Sequence, residues 1–344
     1  MLSDTRRLAS AAVIHDIHPI PEADAIECGL VRGWSIVVGK GEFHDGDPVL
    51  YIEPDAALPL DDPRFASLAP RGTKNIDGKA YHVLRTIRLR GQVSQGIVYP
   101  ADRFPELADP DADLDKALGV LLWEPPQPPI GAEWKGPWDL SWLKRTDAER
   151  VQNLSDKWLE SVDDGLWVAT EKVDGSSVTY ALGDDGELRV YSRNNELQPD
   201  PASTPMELAS KYEVRAWMLA HNVDAIQAEM YGNKIQDNRL RVQGHNLAVF
   251  AAWSRTETSF AHDRFDALID SPGTLEVAPI LDLPFPRTVY GALAQADGLK
   301  SRINPERQAE GIVWHHLGDA SFPELDYRLV FKAVNAAFLI KHGL

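Results

Sequence analysis

The C-terminal half of the chain is organised around the segment Glu171-Lys172-Val173-Asp174-Gly175-Ser176-Ser177. An apolar run, residues 166–170, precedes this segment, and a second run, residues 178–182, follows it. β-Branched and aromatic residues are frequent in both runs, which predicts two strands joined by a short turn. Lys172 then lies where the first strand ends, and we expect Gly175 to let the backbone approach a ligand closely. A Lys-x-Asp-Gly pattern recurs by chance, so the segment alone also fits a surface lysine in a turn.

Three further charged residues stand beside apolar, strand-like runs later in the chain. Glu229 ends one run, Glu310 begins another, and Lys332 lies inside residues 330–335. A charged side chain gains nothing from burial in an apolar core, so these residues are candidates for a shared polar cleft. Each one alone also fits an exposed strand end, but the ordered set with Lys172 indicates a common site.

The N-terminal part of the sequence predicts a small β-rich domain, typical of a barrel or a sandwich. Short β-branched or aromatic runs, separated by glycine-containing turns, occupy residues 34–38, 48–52, 80–84 and 96–100. Prolines are dense between residues 103 and 140, which indicates an extended linker. We therefore predict two domains, residues 1–125 and residues 126–344.

The C-terminal part mixes strands and helices. Residues 178–182 and 188–191 flank Asp184-Asp185-Gly186, which predicts a β-hairpin. Apolar residues at helical spacing predict one helix over residues 206–220. Four later strands are expected around Ala228, Val249, Val313 and Val330.

The overall composition excludes several classes of protein. Cys28 is the only cysteine, which excludes an internal disulfide and a multi-cysteine zinc site, and we expect it to be buried in a strand. The net charge of −17 argues against a protein that coats nucleic acid broadly, but not against a focal basic site. No apolar run approaches the roughly 18 residues that span a bilayer, and no signal peptide is recognisable. We therefore predict a cytoplasmic protein without a membrane segment.

Two other chemistries have little support in the sequence. The chain lacks the Gly-x-x-x-x-Gly-Lys-[Ser/Thr] loop of Walker-type ATPases. His315 and His316 are consecutive residues near a strand, so we expect their side chains to face opposite sides and not to share a metal ion.

The motif order resembles that of the covalent nucleotidyltransferases, which include DNA ligases, RNA ligases and mRNA capping enzymes. Among these, the chain is most similar to the RNA ligase family typified by the Deinococcus enzyme. The stretches that carry the likeness, besides the lysine segment, are residues 88–96, 144–153, 235–238 and 248–253. DNA ligases and capping enzymes usually carry an OB domain after the last lysine motif. Here the additional domain comes first and the sequence ends soon after Lys332, a layout that favours the RNA ligase.

The resemblance implies the fold class and the reaction. It implies an α+β protein with an N-terminal OB-like β-barrel, followed by a nucleotidyltransferase domain of antiparallel sheets with flanking helices. The implied activity is that of an ATP-dependent RNA ligase, which joins 5′-phosphate and 3′-hydroxyl ends through a lysyl-AMP, with Mg²⁺ or Mn²⁺ as the metal ion. RNA ends, in particular nicks in duplexes, are the implied partner. The alternatives are a DNA ligase, a capping-type transferase, or a non-catalytic nucleic-acid-binding module that uses Arg85, Arg88 and Arg90.

The resemblance also assigns roles to individual residues. Lys172 is the implied nucleophile, and the other members of the catalytic set are Asp174, Glu229, Glu310 and Lys332. The three carboxylates of this set are the expected metal-binding groups, either directly or through the waters of the ion. The residues expected to bind the nucleotide are Arg150 at the triphosphate, Glu171 at the adenine amino group, Phe250 stacked on adenine, Arg193 at the ribose or the nucleic-acid phosphate, Lys332 at the α-phosphate, and also Lys172, Gly175, Glu229 and Glu310.

One position departs from the family pattern. Many RNA ligases have two lysines in the last motif, spaced Lys-x-Lys. Here Val330 stands at the first position, and Lys332 fills the second. Arg328 and Lys341 are the candidates to replace the missing lysine. The departure concerns the phosphate contacts rather than the reaction itself.

Overall fold

The structure is a computed structural model, and it describes residues 6–124, 131–143, 145, 147–255, 262–317, 322, 324–325 and 329–344. The predicted domain boundary between residues 125 and 126, the prolines around it and Arg328 lie outside the described residues. The division into two domains at that point stays a prediction. We describe residues 6–124 as the N-terminal part and residues 131–344 as the C-terminal part.

The N-terminal part is an antiparallel β structure wrapped around a buried core. Its elements are β1 (Ala9–Pro19), β2 (Ile26–Val31), β3 (Trp34–Gly39), β4 (Pro48–Ile52), β5 (Ala56–Pro59), β6 (Lys74–Ile76), β7 (Lys79–Val83), β8 (Thr86–Leu89), β9 (Gln92–Gln95), β10 (Ile97–Pro100), α1 (Leu114–Leu118) and β11 (Leu121–Leu122). One sheet has the order β10-β4-β1-β2-β3, a second has the order β11-β5-β7-β6, and β8 pairs with β9 alone. These sheets give the β-barrel that the sequence predicts.

Strand β4 shows why the core forms here. Because side chains alternate along a strand, Val49 and Tyr51 join one buried cluster, while Leu50 and Ile52 join another. The strand is therefore buried on both faces, as its continuous apolar run requires. Cys28 in β2 is also buried, which confirms that prediction.

Residues 103–124 were predicted as part of an extended linker, and this prediction is wrong. They form a short 3-10 helix (Pro105–Ala108), followed by α1 and then β11. They also bury Phe104, Leu118 and Val120 in the core of the N-terminal part. Asp113 caps α1 by accepting a hydrogen bond from the backbone amide of Lys116 at 3.2 Å. The sequence interpretation gave more weight to the prolines than to these apolar residues. Prolines do not exclude a helix, because proline is tolerated in a first helical turn.

The C-terminal part contains two further sheets. Its strands are β12 (Trp134–Pro137), β13 (Glu149–Arg150), β14 (Trp167–Lys172), β15 (Ser176–Leu182), β16 (Leu188–Tyr191), β17 (Asn195–Leu197), β18 (Ala225–Gly232), β19 (His245–Ser254), β20 (His262–Asp263), β21 (Ile280–Leu281), β22 (Gly311–His316) and β23 (Val330–Val334). One sheet has the order β12-β17-β16-β15-β18-β19-β20, and the other has the order β13-β23-β22-β14-β21. The predicted hairpin and the four later strands are all present.

Helices cover both sheets. They are α2 (Asp156–Ser161), α3 (Thr204–Lys211), α4 (Val214–His221), α5 (Phe265–Asp270), α6 (Val289–Ala296) and α7 (Ala336–His342). Helices α3, α4 and α5 pack on the sheet that contains β15, β18 and β19. Helices α2 and α6 pack on the sheet that contains β22 and β23. Every helix in the described part of the chain is too short or too polar to span a bilayer.

The single helix predicted over residues 206–220 is two helices, α3 and α4, that are separated at Tyr212 and Glu213. Glu213 has a left-handed backbone with φ of 50°, which ends the helical hydrogen bonding. Leu208 and Tyr212 are buried, as the helical spacing predicts. Ala216 and Leu219, which the same spacing placed on that face, are exposed, because the break turns Met218 of α4 toward the core instead. Neither glycine nor proline marks the break, so the sequence gives no signal for it.

His315 and His316 both lie in β22 and face different neighbours. His315 is 2.9 Å from the hydroxyl of Thr170 and stacks on Phe265. His316 packs against the ring of Trp167. The expectation that they point to opposite faces is therefore confirmed.

Candidate active site

A pocket of about 360 Å³ lies where the two C-terminal sheets and the edge of the N-terminal part meet. Every site residue singled out from the sequence lines it: Arg150, Glu171, Lys172, Asp174, Gly175, Arg193, Glu229, Phe250, Glu310 and Lys332. Lys341, a candidate to replace the missing lysine, is exposed on α7 and is not part of this lining. Pockets of this size accommodate small-molecule ligands.

Lys172 is the last residue of β14 and lies opposite Gly311 of β22. Glu310 immediately precedes β22, and its carboxylate is 2.7 Å from the Lys172 amine. A Cβ atom on Gly311 would lie 2.2 Å from the carbonyl oxygen of Ala333. Glycine is therefore required at position 311, because β22 and β23 approach so closely beside Glu310.

Gly175 lies where two strands approach each other closely. A Cβ atom there would lie 2.1 Å from the carbonyl oxygen of Met230 in β18. The glycine thus lets two backbones approach each other, and because it also lines the pocket, its expected place beside a ligand stays a prediction. This close approach brings the Lys172 segment against β18, where Ser177 is in register with Glu229.

Three carboxylates surround Lys172. Burial raises the pKa of Glu229 to about 8, and the nearby carboxylates of Glu310 and Asp174 add to this effect. Burial, followed by the charge of Glu310, raises the pKa of Asp174 to about 6, although Arg239 opposes the shift. Burial works to lower the pKa of Lys172, but Glu310 and Glu229 outweigh it and raise that pKa. Without a bound cation, Lys172 is therefore a charged ammonium at neutral pH.

The carboxylates do not form a direct metal-binding cluster. In the part of the chain that the structure describes, no group of three or more histidine, cysteine, aspartate or glutamate side chains is placed to hold a metal ion. Asp174 instead accepts a 2.6 Å hydrogen bond from Arg239, and Glu310 pairs with Lys172. Metal binding by these carboxylates, directly or through the waters of the ion, therefore stays a prediction. A divalent cation suits this site because carboxylate oxygens are hard ligands and because the pKa values of Asp174 and Glu229 are raised.

The opposite wall of the pocket carries positive charge. Arg150 in β13 is in register with Lys332 in the neighbouring, parallel strand β23. The Lys332 amine donates a 2.6 Å hydrogen bond to Asp147. Burial, together with the charges of Arg150 and Lys172, lowers the pKa of Lys332 to about 8, and Asp147 limits that decrease. Asp147 lies inside the stretch 144–153 that carried the resemblance, but no role was predicted for it.

The N-terminal part contributes residues that the sequence interpretation missed. Asp55 accepts hydrogen bonds from Arg150 at 3.1 Å and from Arg6 at 2.9 Å. Glu124 pairs with Arg193 at 2.6 Å. All of them line the pocket. No local pattern marks Arg6, Asp55 or Glu124, since their position depends on how the two parts of the chain pack together.

The stretch 144–153 also holds the two parts of the chain together. The backbone amide of Gly33 donates to the carbonyl of Gln152 at 2.9 Å. Asn153 accepts a 2.8 Å hydrogen bond from the indole of Trp34 and donates to Glu53 at 2.9 Å. These contacts fix the backbone that presents Arg150 to the pocket.

Three buried polar atoms of the residues that line the pocket lack a hydrogen-bond partner among the described residues. They are Nε of Arg150 and Nε of Arg239, both cationic donors, and Oε1 of Glu171, an acceptor. The other oxygen of Glu171 accepts from the backbone amide of Arg302 at 2.7 Å. Such atoms are costly unless a ligand satisfies them. The pocket therefore suits a molecule with a phosphate at one end and a hydrogen-bond donor at the other.

Comparisons with known proteins agree with this geometry. Residues 8–101 match an OB-fold domain family, and residues 165–334 match the RNA ligase family. Structures of Naegleria gruberi RNA ligase variants with ATP and manganese, and with AMP and manganese, have TM-scores of 0.84 and 34% sequence identity to this chain. The alignments cover 98% of this chain and 99% of theirs. The same enzyme with pyrophosphate gives the same values. A comparison with curated proteins gave no match.

The identity extends over nearly the full length and includes both parts of the chain. It confirms the predicted order of an OB-fold domain followed by a nucleotidyltransferase domain, and it decides against a DNA ligase, a capping enzyme and a non-catalytic binding module. The chain belongs to the RNA ligase family.

Proposed function

We propose that this RNA ligase uses ATP to seal nicks in duplexes that carry RNA at the 3′-hydroxyl side, and that it acts in the cytoplasm. The observation that carries the proposal is the convergence of all the nucleotide-binding residues expected from the sequence on one pocket around Lys172. The Naegleria complexes with ATP, AMP and manganese support ATP as the AMP donor and Mg²⁺ or Mn²⁺ as the metal ion.

In the first step, the Lys172 amine attacks the α-phosphorus of ATP. A P–N bond forms, the anhydride bond to the β-phosphate breaks, and pyrophosphate leaves. The amine must be neutral to attack, and the Glu310 carboxylate, 2.7 Å away, is placed to accept its proton. A divalent cation held through waters by Asp174, Glu229 and Glu310 would offset their charge and lower the pKa of Lys172.

The basic wall stabilises the phosphates during this step. Lys332 contacts the α-phosphate, and Arg150 offers its unpaired Nε to the triphosphate. Arg193 is placed to reach the ribose or the phosphate of the nucleic acid. Preorganised cations in a partly buried pocket are more effective than in water, because the local dielectric constant is lower.

The adenine is recognised at the other end of the pocket. Glu171 accepts a hydrogen bond from the adenine amino group through its unpaired Oε1. Phe250 is half-buried in β19 and lines the pocket, where an aromatic ring stacks on a base. GTP lacks the amino group at this position, so the same contact selects ATP.

The later steps use the same pocket. An oxygen of the RNA 5′-phosphate attacks the phosphorus of lysyl-AMP, the P–N bond breaks, and Lys172 regains a proton. The RNA 3′-hydroxyl then attacks the 5′-phosphate, and AMP leaves as the new phosphodiester forms. No other side chain makes a covalent bond, so positioning and charge neutralisation dominate.

A sealing assay on nicked duplexes tests the substrate. Each strand is synthesised as RNA or DNA, and ligated product is measured with ATP and with GTP. We expect a preference of about 10-fold or more for RNA at the 3′-hydroxyl side, and sealing with ATP only, since a missing hydrogen-bonding group costs about this much or more. Equally fast sealing of all-DNA nicks contradicts the proposed substrate.

The rate of lysyl-AMP formation should fall above about pH 8, because Lys332 must be protonated to neutralise the α-phosphate and its pKa is about 8. Asp147 raises that pKa, so Asp147→Asn should lower it and move the alkaline limb to lower pH by roughly one unit. The profile of kcat/KM for ATP against pH measures the shift. Asp62→Asn, which removes an ion pair with Arg64 elsewhere in the N-terminal part, is the control. If the alkaline limb of the Asp147→Asn profile stays in place or moves to higher pH, the titration of Lys332 is not its cause.

A further inference from the structure

Two segments without any aspartate or glutamate meet beside the pocket. Residues 78–101 and residues 327–344 contain none, although the chain has 52 such residues and a net charge of −17. The first segment includes the β8–β9 hairpin and the second includes α7. We call the surface formed by the described residues 85–95 and 336–344 the acid-free surface.

The two segments are in direct contact. The guanidinium group of Arg85 donates a hydrogen bond to the carbonyl of Gly343, and α7 packs on β8. Arg85 also lies 5.6 Å from the ring of Trp123, and the amine of Lys74 lies 4.8 Å from the same ring. Trp123 and Leu344 line the pocket. The acid-free surface therefore borders the pocket that contains Lys172.

The cations of this surface are available to a ligand. Arg88, Arg90 and Lys341 are exposed, and no ion pair links them to a carboxylate within the described ranges. Arg88 instead donates to the carbonyl of Gly91 at 2.7 Å, which holds the hairpin turn. The chain as a whole is negatively charged, but carboxylates of the described residues do not neutralise these cations. They therefore form a localised site for a polyanion.

The hairpin also exposes two apolar side chains, Ile87 at 41% and Leu89 at 37%. They lie on either side of Arg88 in β8, so Arg88 and the apolar pair lie on opposite faces of the strand, and Arg90 follows in the turn. On α7, burial, followed by the charges of Arg239, Lys341 and Arg307, lowers the pKa of His342, and Asp237 opposes the shift. Positive charges therefore lie close to the end of α7.

We propose that the RNA docks on the acid-free surface, with its phosphate backbone along Arg85, Arg88 and Arg90 and against Lys341 at the end of α7. This inference rests on the proposed function, because the docked strand must deliver its end to Lys172. The phosphate backbone lies on the face of the hairpin that presents Arg88, opposite to Ile87 and Leu89.

The experiment removes one cation from each segment, in the double variant Arg88→Gln with Lys341→Gln. Binding to a nicked RNA duplex and KM for its sealing are measured across a series of salt concentrations. We expect about 10-fold weaker binding near 0.1 M salt, and a slope of log K against log salt that is shallower by about 2, since each lost phosphate contact lowers the slope by roughly 0.9. The rate of lysyl-AMP formation without RNA should match that of the unchanged protein.

The matched control replaces Arg215 and Lys40 with glutamine, again one exposed arginine and one exposed lysine, both outside the acid-free surface. Unchanged affinity and slope in the double variant overturn the inference, as does an equal loss in the control or a parallel loss of lysyl-AMP formation. If these cations bind another protein instead of RNA, the double variant would keep the RNA affinity of the unchanged protein, which also overturns the inference. Failure of the unchanged protein to form lysyl-AMP would instead refute the proposed function, and this is seen before any variant is compared.

Discussion

Lys172→Ala should abolish the transfer of label from α-labelled ATP to the protein. The substitution removes the amine that attacks the α-phosphorus, so the rate should fall at least roughly 10³-fold, as it does when a nucleophile is removed from other enzymes. Lys172→Arg should be equally inactive, because a guanidinium group does not lose its proton near neutral pH. The measurement is labelled protein after denaturing electrophoresis, followed by mapping of the labelled peptide.

An RNA nick that already carries a 5′-adenylate bypasses the attack on ATP and serves as the control. The Lys172→Ala protein should still seal such a nick, since the last step needs no nucleophilic lysine. Retained sealing shows that the variant is folded and binds RNA. Label that persists on the Lys172→Ala protein assigns the nucleophile to another residue.

Much of this site follows from the sequence because its residues sit at the ends of regular strands. Lys172, Glu229 and Glu310 each interrupt an apolar run, and such an interruption predicts a polar cleft whatever the rest of the fold is. The order of these residues along the chain then indicated the family. Apolar runs and a turn signal predicted β15, β16 and β18, and the alternation of side chains along a strand then determines which of them share a face.

The groups that the sequence did not predict depend on contacts between distant parts of the chain. Asp55 reaches Arg150 only because the N-terminal part packs on residues 150–153. The close contact of Gly175 with the carbonyl of Met230 was not predicted, because Met230 is distant in sequence. The break between α3 and α4 depends on the left-handed backbone of Glu213, which a residue of this type rarely adopts.

These long-range contacts give the pocket a charge pattern that the sequence motifs do not reveal. Each of the following pocket cations is paired with a carboxylate: Lys172 with Glu310, Lys332 with Asp147, Arg150 with Asp55, Arg193 with Glu124, and Arg239 with Asp174. The cations are thereby held in place before a nucleotide binds. A triphosphate must then exchange with some of these carboxylates, so binding reorganises ion pairs rather than filling an uncompensated positive site.

Lys332→Met should lower the rate of lysyl-AMP formation about 10²- to 10³-fold, the usual cost of removing one preorganised donor from a developing negative charge. Methionine keeps the length of the side chain and removes its charge. The loss should appear in kcat more than in KM for ATP, because the α-phosphate gains charge in the transition state. Lys157→Met, a change of the same kind at an exposed position of α2, should have no effect. A Lys332→Met rate within a factor of a few of normal excludes the α-phosphate contact.

The departure at Val330 sharpens this prediction. Val330 and Lys332 are two residues apart in β23, so their side chains share a face, and both line the pocket. A lysine at position 330 therefore points into the same pocket as Lys332. Val330→Lys added to Lys332→Met should recover about 10-fold of the lost rate, since it returns one charge to that wall at a less favourable distance from the α-phosphorus. If the double variant is no faster than Lys332→Met alone, the reaction needs a cation at position 332 specifically, and a charge elsewhere on the wall does not replace it.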